Sequence, residues 1–304
     1  MRALYRWQLR SRSLQLGTRT LIMGVVNVTP DSFSDGGKFL EPQQAVERAL
    51  QLLDEGADLL DIGGESTRPG TQVLPDESGR KPAVSEDEEL RRVAPVIEGV
   101  LKARPEAVLA IDTYKAAVAR HAAGVGAEIV NDVSAFLWDP AMASTCGELR
   151  CGVVLMHTRG QPGEWRNQPP APDLTSLVSH DLANRAQIAL DSGVARERIV
   201  LDPGFGFGKN FDENYPLLAH FDQLQNLGFP LLAGTSRKSF IGRTVGKRRD
   251  GEDAPPDDRL YGSLAAMVAS ILHGAHIVRV HDVRPAVEAA AVADAVLAAG
   301  SIGL

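Results

Sequence analysis

Residues 21–37 read LIMGVVNVTPDSFSDGG. The apolar run stops at Asn27 and gives way to hydroxyls, two acids, a proline and two glycines. A run this short and this free of polar side chains reads as a strand buried on both faces. The pattern then recurs. LLDIGG (59–64), VLAIDT (108–113), EIVNDV (128–133), VVLMH (153–157), IVLDPG (199–204), PLLAGTS (230–236) and IVRVH (277–281) are equally short, apolar and β-branched. The stretches between them have helical character. Residues 41–57 place Pro42 at a first helical position and Gly56 just past the end. Residues 85–103 open with Ser85 and Glu88 at capping-box spacing. Residues 173–193 end at Gly193, and a last helix runs from about Asp282 to Ala299.

Eight strands, most followed by a helix, predict an α/β protein: a TIM (β/α)8 barrel forming one domain over residues 1–304. A doubly wound open sheet would announce itself with a glycine-rich phosphate fingerprint after an early strand, and none is present. The leading YRWQLRSRSLQLGTRT (5–20) alternates apolar and polar residues around Arg12 and Ser13, as a hairpin plugging the barrel floor would. Two charged, Pro- and Gly-rich stretches, 71–84 and 246–259, read as exposed loops after the second and seventh strands.

Bulk properties narrow the function. The 304-residue chain carries a net charge of −7, which argues against non-specific nucleic-acid binding. Any anionic ligand must meet a local positive charge. Two cysteines, Cys146 and Cys151, make neither a disulfide framework nor a zinc site, so a reducing, cytoplasmic setting is expected. The first twenty residues scatter arginine without a long apolar core, and no run of about 18 apolar residues suggests a membrane span.

Barrel enzymes work at the C-terminal ends of their strands. Here those ends deliver Asn27, the Gly63–Pro69 segment, Asp112, Asn131, Met156, His157, Asp202, the Thr235–Lys238 segment, Arg279 and His281. One such polar residue is easily a cap; a whole ring of them is hard to explain by packing, because buried charges need partners. Asp112, Asn131 and Asp202 suit a flat heterocycle rich in N–H groups, and Lys238 suits a ring carbonyl or nitrogen. Arg279 and His281 lie two apart on one strand and so face the same way. A guanidinium can stack on a flat ring while binding an anion. Arg68 is a second anion candidate. Asp61, in mid-strand, is expected only to orient the following loop, and Asp132 points to the opposite face from Asn131. His121, His180, His220 and His273 fall in helical stretches, and the G-x-G-x-G of 204–208 is expected to form a tight turn or admit a ligand.

These segments resemble the dihydropteroate synthase family. MGVVNVTPDSFSDGG, GADLLDIGGESTRPG, AIDT, IVNDVS, LMH, DPGFGFGKN, SRKSFIG, GSLAA and VRVHDV occur in the family's order over roughly residues 20–295. The resemblance implies a transferase of folate biosynthesis. It would join 6-hydroxymethyl-7,8-dihydropterin pyrophosphate to 4-aminobenzoate, releasing pyrophosphate, by an SN1-like substitution. Asp112, Asn131, Asp202 and Lys238 would hold the pterin, with Met156 and Phe207 lining the pterin or its approach. Arg279, His281 and Asn27 would bind the pyrophosphate, Asn27 also touching Mg²⁺. Phe33, Thr67, Arg68, Pro69, Ser236 and Lys238 would shape the aminobenzoate site, and Asp35 with Arg68 would join the transition-state assembly. The polar loop after Asn27 would act as a lid. Sulfonamide inhibition and a homodimer are further implications. Two rivals are a pterin-dependent methyltransferase domain and a catalytically silent pterin-binding paralogue. The first has no use for the TPDSFSDGG and STRPG loops, and the second should have lost loop acids or the Arg279–His281 pair.

Overall fold

The computed structural model describes residues 2–28, 42–67, 70–75, 82–248 and 251–300. Two antiparallel strands, β1 (Tyr5–Gln8) and β2 (Ser13–Leu16), form the expected hairpin, with Gln8 opposite Ser13 and the turn closed by the Leu9 amide on the Arg12 carbonyl. The eight apolar runs then become β3 (Leu21–Asn27), β4 (Leu59–Gly63), β5 (Leu109–Asp112), β6 (Ile129–Asp132), β7 (Gly152–Met156), β8 (Ile199–Asp202), β9 (Leu232–Ala233) and β10 (Ile277–Val280). All pair in parallel, in the order β8-β7-β6-β5-β4-β3-β10-β9. A parallel bridge from Leu201 to Leu231 joins the two ends and closes the barrel.

Helices fill every crossover: α1 (Pro42–Asp54), α2 (Glu86–Ala103), α3 (Ala116–Gly124), α4 (Met142–Leu149), α5 (Leu174–Asp191), α6 (Asn214–Ala219), α7 (Ser239–Gly246) and α8 (Leu260–Leu272). A last helix, α9 (Val283–Ala299), follows β10. Pro42 starts α1, and Ser85 Oγ accepts the Glu88 amide at the head of α2, as the spacing requires.

The strand period of two separates two apolar layers. Ile22, Val26, Leu60, Ile62, Leu109, Ile111, Val153, Leu155, Ile199 and Leu201 face the helices. The alternate residues Met23, Leu59, Ala110, Ile129, Val154, Val200, Leu232 and Ile277, one from each strand, fill the barrel. Trp7, Leu9 and Leu16 of the hairpin close that inner core from below. Trp7 is fully buried, and its indole N–H donates to the Arg198 carbonyl at 2.8 Å. The interior is therefore dry at its base, and polarity begins only toward the C-terminal ends.

Two loops differ from their sequence reading. Segment 71–84 is not simply exposed: Val73 is buried among Tyr114, Val133, Trp138, Met156 and Trp165, and its carbonyl accepts the Tyr114 hydroxyl at 2.6 Å. Residues 251–259 fold back on α7, with the Ala254 amide on the Gly242 carbonyl at 3.0 Å. Ala254 is buried, and Arg259 donates to the carbonyls of Ala254 (2.6 Å) and Arg237 (2.8 Å). Charge and proline made both look solvated, but Val73 anchors the first, and Ala254 with the carbonyl-seeking Arg259 anchors the second.

Candidate active site

Strand register assembles the site. Asn27 lies opposite Gly63, Gly63 opposite Asp112, and Asp112 opposite Asn131, so four neighbouring strands present one row at the barrel's top. Met156 stands opposite Asp202 on the next pair. A Cβ on Gly63 would reach contact distance of the Asp112 side chain, 3.4 Å from its Cβ. Arg279 pairs in register with Met23, below the row, and reaches across toward β4 and β5.

Two carboxylates hold Arg279. Its Nε donates to Asp61 Oδ2 at 2.5 Å and its Nη2 to Asp112 Oδ2 at 2.7 Å. Asn131 Nδ2 donates to the same Asp61 oxygen at 2.9 Å. Asp61 therefore does not merely orient a loop. It is fully buried at the centre of the cluster. The signal was available in its alternation with Leu59 and Gly63, which puts it on the inner face.

The enclosed charges shift one another. Burial, reinforced by Asp61, pushes Asp112 up to about 7 against the pull of Arg279. Burial likewise lifts Asp202 to about 6, although the Gly204 amide donates to it at 2.7 Å. Burial and the Arg279 charge bring Lys238 down to about 7. Burial opposes the charge of Arg279, but Asp61 and Asp112 more than offset it and hold the guanidinium firmly protonated. Lys238 precedes α7, with its ammonium 3.9 Å from the centre of the Phe207 ring.

Ser236 and His281 form a pair, Oγ to Nδ1 at 3.0 Å, and the His281 amide donates to the same hydroxyl at 3.2 Å. Burial, then the charges of Arg279 and Arg237, depress His281 to about 3. At neutral pH it offers an N–H, not a positive charge. Asp132 turns away, as expected, and its carboxylate caps the Ser134 and Phe136 amides. His157 points outward to Asp181 on α5 at 3.2 Å. His121, His180 and His220 are exposed, and His273 is half-buried.

The glycine-rich segment 204–208 is a tight turn. A Cβ on Gly204 (φ +65°) would come within 2.0 Å of the His157 carbonyl oxygen. Lys209, which the sequence reading left without a role, staples the turn from inside by donating to the carbonyls of Gly204 (2.7 Å), Phe207 (3.2 Å) and His157 (3.3 Å). Also unforeseen is the buried ammonium of Lys115, 2.6 Å from both Glu65 and Glu89, which ties the segment after β4 to α2. Thr67 follows that anchor and is half-buried. Phe33 and Asp35, with the lid that carries them, and Arg68 and Pro69 of the STRPG segment lie outside the described residues.

The chain has known relatives in sequence and in fold. The sequence profile described as "pterin binding enzyme" matches residues 23–281. The dihydropteroate synthase of Bacillus subtilis (strain 168) is 42% identical over 290 residues, covering 95% of this chain and 93% of that protein. Among solved structures, Xanthomonas albilineans dihydropteroate synthase with 4-aminobenzoic acid superposes with a TM-score of 0.85 at 43% identity, covering 97% of this chain and 99% of the other. Yersinia pestis dihydropteroate synthase in a sulfonamide drug complex does so with 0.85 at 40% identity and the same coverage. A match of this extent in sequence and fold means that the chain belongs to the dihydropteroate synthase family of pterin binding enzymes.

Proposed function

We propose that the chain condenses 6-hydroxymethyl-7,8-dihydropterin pyrophosphate with 4-aminobenzoate, giving 7,8-dihydropteroate and pyrophosphate. The observation that carries this reading is the convergence of Asp112, Asn131, Asp202, Lys238 and Arg279 at one end of a barrel whose other end is dry. Acceptors for ring N–H groups and a cation able to stack or pair with an anion are the complement of a pterin carrying a phosphoester. In this reading Asp112, Asn131, Asp202 and Lys238 bind the pterin along Met156 and Phe207, and Arg279 with His281 and Asn27 meets the pyrophosphate. Thr67 and Ser236 shape the aminobenzoate side, with Phe33, Arg68 and Pro69 assigned there from sequence and Asp35 assigned to the reacting centre.

The bond between the pterin methylene carbon and the pyrophosphate oxygen breaks, and its electron pair leaves with pyrophosphate. The remaining cation is delocalised over the electron-rich ring. The arylamine nitrogen then bonds to the methylene carbon and sheds one proton. No protein nucleophile is required. Arg279 stabilises the charge growing on the leaving group, and His281 donates one hydrogen bond to it as a neutral imidazole. The buried pterin slot limits the access of water, a competing nucleophile.

Mg²⁺ fits this arrangement. Asn27 is exposed at the end of β3 and offers one carboxamide oxygen, as suits a hard cation that keeps several waters and meets substrate phosphates. In this reading Asn27 would hold the cation together with the phosphate oxygens of the substrate. When bound, it supplies charge neutralisation on the leaving group.

A homodimer and a cytoplasmic setting complete the proposal. Tyr261 and Leu272 on α8 and Val292 and Val296 on α9 expose large apolar side chains on two neighbouring helices, a surface that a second copy would cover. Both cysteines are free thiols, and no helix among the described residues is long and apolar enough to cross a membrane. The deciding experiment mixes purified protein, Mg²⁺ and both substrates. Stoichiometric dihydropteroate and pyrophosphate, suppressed by a sulfonamide, are expected. Tight pterin binding without product would overturn the synthase assignment.

A further inference from the structure

We infer that Asp61 is the positioning residue that couples the two halves of the dihydropterin pyrophosphate site, one carboxylate oxygen fixing both the guanidinium that meets the pyrophosphate and the carboxamide that meets the pterin. The inference rests on the roles proposed above for Arg279 and Asn131. Asp61 Oδ2 accepts Arg279 Nε at 2.5 Å and Asn131 Nδ2 at 2.9 Å. No other described carboxylate bridges two of the proposed ligand-binding side chains in this way.

The two acids on Arg279 are not equivalent. Asp112 ends its strand, its side chain is 18% exposed, and its oxygen is the one that a pterin N–H would compete for. Asp61 sits one inward-facing position deeper on the neighbouring strand, level with Ala110 and Val25, and is 0% exposed. When ligand occupies Asp112, Arg279 loses the partner of its Nη2 and keeps Asp61 on Nε. The guanidinium stays in place while its freed edge turns to the pyrophosphate. Without Asp61, the substrate would have to order a long, freely rotating side chain itself, and that entropy would come out of binding. Asn131 would lose its orientation at the same time, because its amide N–H has Asp61 as its acceptor and its oxygen is thereby directed elsewhere.

The test uses the full-length chain with Asp61→Ala and Asp61→Asn, calorimetric binding of dihydropterin pyrophosphate with Mg²⁺, and steady-state kinetics. Asp61→Ala is expected to weaken pterin pyrophosphate binding roughly 10- to 100-fold, the range for losing hydrogen bonds to a charged group. The KM for 4-aminobenzoate should stay within about twofold, a split that general loss of structure would not give. Asp61→Asn keeps an oxygen that both donors can reach, so it should restore most of the affinity and lose roughly 3- to 10-fold. Should Asp61→Ala not fold, the asparagine variant decides alone. Parent-like affinity in the foldable variants, or equal losses for both substrates, would overturn the inference. A parent protein that makes no dihydropteroate would instead sink the proposed function, which separates the two failures.

Discussion

Lys238 holds its ammonium inside a buried cluster beside another cation, and its proton is loosened to about 7. Asp202 and Asp112, pushed up to about 6 and about 7, gain protons over the neighbouring range. Acid therefore removes acceptors from the pterin slot, and base removes its ammonium. The pH profile of kcat/KM for dihydropterin pyrophosphate should be a narrow bell centred near neutrality, its limbs belonging to the coupled set. Lys238→Arg should flatten the alkaline limb, and an alkaline limb that stays as steep would remove Lys238 from that role. The same displacement taxes the fold. Asp202 ionises at about 6 in the native protein against 3.8 ordinarily, so stability falls as pH rises between those values. Asp202→Asn escapes that loss. At pH 8 it should be more stable than the parent by at most about 3 kcal/mol while losing pterin binding. A lower melting temperature would show that the attraction of Asp202 to Lys238, Arg279 and Lys209 outweighs its desolvation. At this scale the sequence spoke unevenly. Asp112, Asn131 and Asp202 announced themselves by ending apolar runs, whereas Asp61 looked like a loop-orienting residue because it lies in mid-strand, two before Gly63.

Among the elements, the turn between β8 and α6 is tightly constrained. Gly204 adopts a left-handed conformation directly against the His157 carbonyl, and Lys209 spends its buried ammonium on three carbonyls of the turn and its neighbour. Burial, with the nearby Lys238 and Arg159 charges opposed by Asp202, brings that ammonium down to about 7. Gly204→Ala should cost at least about 2 kcal/mol, from backbone strain and a contact no rotamer can relieve. Urea denaturation measures this, and an unshifted midpoint would mean that the turn adapts. Phe207, carried on the same turn, stacks edge-on against Trp165 at 5.0 Å and beneath Lys238, so a loosened turn should also weaken pterin binding. The glycines were legible as a turn. The role of Lys209 was not, since nothing in its spacing says that three carbonyls will converge on it. Segment 71–84 was misread for the opposite reason: its charges are plain in the sequence, while the aromatic pocket that takes Val73 comes from β5, β6, β7 and the segments that follow them.

For the whole molecule, the barrel's two ends do different work. The hairpin of β1 and β2 seals the floor, and Trp7 is its largest plug. Trp7→Ala should destabilise the protein by about 3–5 kcal/mol, with the strand-end site chemically unchanged. Chemical denaturation checks the first part, and kcat per folded enzyme checks the second. On the outside, Tyr261 is 82% exposed on α8. Tyr261→Glu should convert the proposed homodimer into monomers, as light scattering would register, without entering the pterin slot. Parent protein already monomeric at working concentration would overturn the dimer. What the sequence by itself determined was the set of short apolar runs, their number, the helices between them and the polar residues at their ends. These are local matters, fixed by side-chain periodicity, caps and breakers, and they suffice for a (β/α)8 barrel with a polar rim. What only the tertiary structure decided was partnership. Asp61 meets Arg279 across 218 positions of chain, Lys115 finds Glu65 and Glu89, and burial, aided by two nearby guanidinium groups, disfavours the charged form of His281. Such pairings depend on strand register and on burial, and both arise only when the sheet closes on itself.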